Sequence, residues 1–380
     1  MIIQGNTSLP RGIHECQVEL NGGEIRRVIT NPSGFGSPDL IVPEGHTICP
    51  GFIDGQINGG FGKEFKTDLD SIGHVTAEIT KYGVTSIVPT VTTKSLDTYR
   101  DHLNGILGAY PGPGTHARVL GIHLEGPVLN PKKRGAHPED LLLSPAGLNL
   151  DVYLSPATIM VTIAPELPGG WALAKDLVSR GLRVGIGHSL ADYDDVVKNF
   201  MPESMHIVHT YNAMSNLEGR GPGLVGVALD REDFHASVIA DLVHVHPASL
   251  RLLWEARRRG TRLFGISDGS AVLGLNLGSH VVGKRTIERR EDRAVLEGTE
   301  TLVGSVLTMN TAARNLRRVT GCEMWEAVNF VSLNTATYYG VGDRLGSIEP
   351  GKAADLCVVD DDFNVRYTVV NGTVAFNDLT

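Results

Sequence analysis

Gly121-Ile122-His123-Leu124-Glu125-Gly126-Pro127 is an apolar run that ends in a carboxylate and a Gly-Pro break, and the same construction recurs along the chain. Leu182-Arg183-Val184-Gly185-Ile186-Gly187 runs into His188, Met205-His206-Ile207-Val208 into His209, and Arg262-Leu263-Phe264-Gly265-Ile266-Ser267 into Asp268. Short apolar runs bounded by Gly or Pro read as buried strands. Four times such a strand delivers a metal-capable or proton-carrying side chain at its C-terminal end. In a closed α/β barrel those ends gather on one face, so residues far apart in sequence meet in one pocket. A Glu with two His suits a divalent metal such as zinc and leaves a coordination position for water. Glu125, His188 and His209 are therefore expected to hold one divalent ion per chain. Asp268 opposite them has the chemistry of a general base. Taken singly, each His would more often be a hydrogen-bonded core residue and the Asp a helix cap; it is the combination at successive strand ends that points to a site.

Working outward, eight candidate strands alternate with helical patterns: Ile48 to Asp54, Val84 to Thr90, Val119 to Glu125, Ile159 to Pro165, Leu182 to His188, Met205 to His209, Ala236 to Asp241, and Leu263 to Asp268. Trp171 to Arg180 places Leu173, Leu177 and Val178 on one helical stripe and stops at Gly181. Eight strands with crossovers favour a (β/α)8 TIM-type barrel over an open doubly wound sheet. No Gly-x-Gly-x-x-Gly opens the first crossover, which weakens a dinucleotide-binding reading. Both chain ends are rich in short β-type runs, with a turn signal at Asn371-Gly372. The expected organisation is a small β-sandwich domain from residues 1–47 and 346–380 around a barrel of residues 48–345. The charged stretch Leu275 to Glu297 fits either a flap over the pocket or a plain surface loop.

The 380 residues are enough to bury a large core, and a formal charge of −9 without any basic tract argues against a nucleic-acid partner. The four cysteines have no paired spacing and read as reduced, buried thiols. The first residues lack the long apolar stretch of a secretory signal and no segment reaches membrane-spanning length, so a cytoplasmic enzyme without a membrane partner is expected.

Pro50-Gly51-Phe52-Ile53-Asp54 and the closing Gly346-Ser347-Ile348-Glu349-Pro350-Gly351-Lys352-Ala353-Ala354-Asp355-Leu356 resemble the amidohydrolase superfamily. Within it the chain resembles the N-acetylglucosamine-6-phosphate deacetylases, through His123 to Pro127, Lys132 to His137, Gly187-His188-Ser189, His209 to Met214, Gly219 to Gly223, Ile239 to His244 and Ser267-Asp268-Gly269. The resemblance implies a barrel hydrolase that removes the N-acetyl group of a sugar-phosphate substrate, with Glu125, His188 and His209 as metal ligands and Asp268 as catalytic acid/base. It implies substrate contacts from Ala136, His137, Asn212, Ala213, Arg220 and His244, and from the turn Leu302-Val303-Gly304. A homodimer is implied as well. Arg220, in a Gly-flanked turn after the sixth strand, is expected to overhang the pocket mouth and take the phosphate.

Three departures stand out. Where many amidohydrolases carry His-x-His, this chain has Gln56 and Asn58, so a second metal position is not expected. The fourth strand ends Ala164-Pro165-Glu166, with no Lys to bridge two metals. Gly269-Ser270 replaces a small non-Gly residue and Thr, which leaves open other N-acyl amino sugars such as N-acetylgalactosamine 6-phosphate. A catalytically silent sugar-phosphate sensor and a dihydroorotase-like cyclic amidase are the competing readings. The intact Glu125, His188, His209 and Asp268 weigh against the sensor, and the missing His-x-His and Lys against the cyclic amidase.

Overall fold

The computed structural model describes residues 1–32 and 36–379; the expected terminal domain includes residues 33–35 and 380, which lie outside the described residues. The eight barrel strands are Phe52–Ile57, Val84–Thr92, Ile122–Glu125, Thr158–Ile163, Arg183–Ile186, Met205–Ile207, His235–Val238 and Leu263–Gly265. They pair in parallel in chain order. Closure is made at the seam between the first and the eighth. There Ile57 bridges Gly269 in parallel, and the Asp268 amide donates to the Gln56 carbonyl at 2.9 Å. The buried Asp54 carboxylate locks the same seam, accepting from the Ser267 amide at 3.1 Å and from its hydroxyl at 2.5 Å. Both seam strands thus bring their ends, Gln56, Asn58 and Asp268, into one place.

The strands are short and almost wholly buried, as expected for a parallel sheet covered by crossover helices. Helix Gly170–Ser179 turns Leu177 fully inward and leaves Leu173 and Val178 half-buried. Gly181 ends it at φ 81°, with the Leu182 amide returning to the Leu177 carbonyl at 3.1 Å. Close packing inside the barrel sets the size of the inward residues. A methyl at Gly185 would overlap the Val208 and Thr162 side chains. Gly185→Ala is accordingly expected to lower unfolding stability by about 1–3 kcal/mol, measured by urea denaturation.

Two expectations change. Ile48 to Asp54 is not one strand: His46–Pro50 belongs to the terminal sheet, pairing antiparallel with Leu356–Asp360, and the barrel begins at Phe52. Gly51 makes the break; its amide bonds the Asp355 carbonyl, and a side chain there would overlap Thr85. We infer that the domain boundary falls at Gly51 on one side and close to Ala354 on the other. Likewise Val119 to Glu125 is interrupted at Leu120-Gly121, leaving Arg118–Val119 as a separate short pairing with the second strand.

The termini form a separate sheet domain. Its eight strands join in one hydrogen-bonded sheet, and the two ends of that sheet share a core that includes Ile3, Val18, Ile48, Leu356 and Val369, as in the expected small sandwich. The last hairpin turns at Asn371-Gly372 with φ 50° and 76°, the positive pair a two-residue turn requires. The stretch after the eighth strand is an ordered three-stranded sheet, Gly278–Val282, Arg285–Arg289 and Ala294–Leu296. It packs Val282, Ile287 and Ala294 on Ala271, Val272 and Val303. No helix among the described residues is long and apolar enough to cross a membrane.

Candidate active site

A cavity of about 350 Å³ opens at the C-terminal end of the barrel. On its floor the third, fifth and sixth strands place Glu125, His188 and His209. His188 Nε2 and His209 Nε2 each lie 3.3 Å from Glu125 Oε1, and 3.3 Å from one another. Ligands held at about 2.0–2.1 Å around a tetrahedral ion are separated by about 3.3–3.4 Å, so this triangle fits one face of such a site. His188 Nδ1 is bonded to the Lys133 carbonyl at 2.8 Å, which fixes the proton there and leaves the Nε2 lone pair for an ion. Glu125, His137 and His188 also bring ligand atoms within 4.8 Å of one another. Yet His137 Nε2 stands 3.7 Å from Glu125 Oε2, and its Nδ1 is engaged by the Thr93 hydroxyl at 2.8 Å. The triangle with His209 is the better donor set.

Burial works against charge on Glu125, but contacts with His137, His188 and His209 outweigh it and hold the carboxyl well below its ordinary value. Burial pulls His137 down to about 4, which makes it a neutral imidazole. Asp268 is raised, first by burial and then by the charge of Glu125. Amide donors restrain it: Asn58 Nδ2 gives to Asp268 Oδ1 at 2.8 Å, and Gln56 Nε2 reaches both Asp268 Oδ1 and Glu125 Oε1 at 3.2 Å. In place of the His-x-His pair stand neutral donors, of which Gln56 bridges the two carboxylates and Asn58 holds Asp268 alone.

His188, His209 and Asp268 all have left-handed backbone, with φ of 49°, 35° and 50°. Each strand ends two or three residues earlier, and beyond the turn all three side chains line the cavity. Glu166, beyond the fourth strand, braces the first of these turns. It accepts from the Ser189 hydroxyl and the Leu190 amide at 2.6 Å each, and from Asn130 at 2.9 Å.

Ala136, His137, Asn212, Ala213, His244, Leu302, Val303 and Gly304 all line the same cavity. His244 Nδ1 bonds Asp241 Oδ2 at 2.6 Å; burial opposes its charge, but Asp241 raises it. Gly304, at φ 55°, runs against the Asp268 carbonyl, and the next residue, Ser305, donates its amide to that carbonyl at 2.9 Å.

Arg220 departs from expectation. It is exposed and sits over a separate groove with Asp192, Tyr193, Asp194 and Lys198, away from the cavity of its own chain. The cause is a tight turn in which Glu218 and Gly221 pair, pointing the Gly-flanked arginine outward. Arg285 comes to the cavity instead, from the three-stranded insertion, together with Glu64, Lys66 and Thr92. Sequence reading missed these four and Glu166. Thr92 had a signal, because it ends the second barrel strand, and Lys66 follows the first strand closely. Nothing in the sequence around Arg285 singled it out.

The amidohydrolase family model matches residues 47–375. A Bos taurus N-acetylglucosamine-6-phosphate deacetylase is 36% identical over 347 residues, covering 87% of this chain and 84% of the relative. The fold is similar to that of the Thermotoga maritima N-acetylglucosamine-6-phosphate deacetylase, with a TM-score of 0.87, 28% identity and coverage of 99% and 100% of the two chains. It is also similar to an Asp-to-Ala variant of the Mycobacterium smegmatis enzyme in complex with N-acetyl-D-glucosamine-6-phosphate, with a TM-score of 0.88, 26% identity and 99% of each chain covered.

Proposed function

The chain belongs to the amidohydrolase family, and on that premise we propose that it hydrolyses the N-acetyl group of N-acetylglucosamine 6-phosphate to give glucosamine 6-phosphate and acetate. The observation that carries the proposal is the 3.3 Å triangle of Glu125, His188 and His209, set beside Asp268 in one cavity. Those three residues would hold one divalent ion, with zinc matching the donor set. When bound, such an ion supplies Lewis-acid polarisation of the amide carbonyl and makes water easier to deprotonate.

The remaining work falls to the chain's own groups. Asp268 takes a proton from the attacking water and returns it to the amide nitrogen as the C–N bond breaks. Gln56 and Asn58 keep its carboxylate aimed at the floor of the cavity. His137, neutral and oriented by Thr93, presents Nε2 as a donor to the carbonyl oxygen as charge builds there. On the wall beyond the sixth and seventh strands, Asn212, Ala213 and His244 receive the sugar phosphate; Asp241 favours the charged form of His244 against its burial. Leu302, Val303, Gly304 and Ala136 shape the space for the sugar.

The test is acetate release from metal-replete protein with N-acetylglucosamine 6-phosphate, its galacto epimer and both unphosphorylated sugars. Release should be fastest from the gluco 6-phosphate. No acetate from that compound, with turnover of another amide, would overturn the assignment. A second expectation concerns Glu166: Glu166→Ala should weaken metal retention about 10- to 100-fold by freeing the His188 turn, as loss of an outer-shell support does elsewhere. Competition against a chelator measures this, and unchanged retention would limit Glu166 to local packing.

A further inference from the structure

The two walls of the cavity differ in charge. In an eight-stranded barrel the second and sixth strands are four apart, so Thr92 at the end of one faces Asn212 beyond the other across the mouth. In the function proposed above, on which this inference rests, the sugar phosphate lies on the Asn212–His244 wall. An amide whose carbonyl sits over the floor then directs its acyl substituent at the opposite wall, where Glu64, Lys66, Thr92 and Arg285 stand. The charges on that side do not cancel. Arg285 is paired with Glu64 at 2.7 Å, and Glu300 with Arg290 at 3.0 Å. The half-buried Lys66 ammonium has no ion-pair or hydrogen-bond partner among the described residues. Lys94 stands behind it, donating its own ammonium to the Lys66 carbonyl at 3.3 Å. Burial pulls Lys66 down, against an upward pull from Glu64, a carboxylate already paired with Arg285. A partly desolvated ammonium with no carboxylate in direct contact among the described residues is costly until a ligand supplies the charge.

We infer that Lys66, flanked by Thr92 and Arg285, forms a carboxylate-binding site at the acyl end of the cavity. Two sources present that chemistry. One is the acyl product, which leaves hydrolysis as an anion. The other is an acyl substituent that itself ends in a carboxylate, such as an N-succinyl group.

Metal-replete wild type, Lys66→Met, Lys66→Gln and the charge-preserving Lys66→Arg are compared, with metal content measured in each. Acetate binding is titrated by calorimetry, and N-succinyl- and N-acetylglucosamine 6-phosphate are compared by kcat/KM. Acetate binding weakened about ten-fold in the two neutral variants, and restored in Lys66→Arg at equal metal content, identifies the product as the ligand. A fall of about ten-fold in the succinyl-to-acetyl ratio, with acetate binding unchanged, identifies an acidic acyl tail. If neither quantity moves in either neutral variant, the site does not bind carboxylates and the inference is overturned. Wild type that releases no acetate would overturn the deacetylase reading instead; the calorimetric titration needs no turnover and still decides Lys66.

Discussion

Asp268→Asn is expected to lower turnover by about a hundred- to ten-thousand-fold, the range that a positioned general acid/base contributes, while substrate still binds. The substitution keeps the shape of the group and its oxygen acceptor for Asn58 and Gln56, and Asn tolerates the φ of 50° at this position. What disappears is the ability to take and return a proton. The fold should not suffer. Asp268 is raised in the folded protein by burial and by Glu125, so its ionised form opposes folding above the ordinary Asp pKa, and that penalty grows as pH rises through its folded value. In metal-free protein at neutral pH the Asn variant is expected to melt no lower than wild type. Single-turnover acetate release and differential scanning calorimetry test the two halves together. Near-normal turnover would place the proton carrier elsewhere.

His209→Ala should abolish metal retention and turnover together, leaving activity at the level of chelated wild type. Two corners of the triangle would remain, and a site reduced to Glu125 and His188 cannot close around an ion whose preferred set is three protein ligands. The loss has a thermal signature as well. An ion that binds only the native state adds about 4 kcal/mol of stability at a thousand-fold excess over its Kd. Chelator should therefore lower the melting temperature of wild type and leave that of His209→Ala unmoved. Equal shifts in both proteins would remove His209 from the ligand set and return His137 as the third donor.

The alternation of buried runs and helical stripes made the barrel legible, because each parallel strand is apolar on both faces and stops at a Gly, a Pro or a reactive side chain. That Glu125, His188, His209 and Asp268 would meet in one cavity was legible for the same reason, since a strand end fixes where its last side chain goes. Two strand boundaries were lost because backbone pairing is invisible in composition: Ile48 to Pro50 is as apolar as Phe52 to Ile57, and only the break at Gly51 separates the sheets. Arg220 illustrates the opposite failure. Its position in chain order beside Asn212 was right, but a tight turn decides direction, and this one points outward. Arg285 reaches the cavity through an inserted sheet whose orientation depends on Ile287 packing against Val272 and Val303, a tertiary contact that no local pattern encodes. Glu166 looked like a missing lysine and proved to be a brace.

The left-handed turns at His188, His209 and Asp268 set this protein's durability against its usefulness. Non-glycine residues in that conformation carry about 1–3 kcal/mol each, toward the low end for His and Asp, which tolerate it better than most. A campaign of directed evolution scored on heat resistance alone would therefore reward glycine at all three positions, and each success would be a more robust protein that no longer works. Any library built to toughen this scaffold should hold these codons fixed and seek its gains in the terminal sheet, none of whose residues lines the cavity.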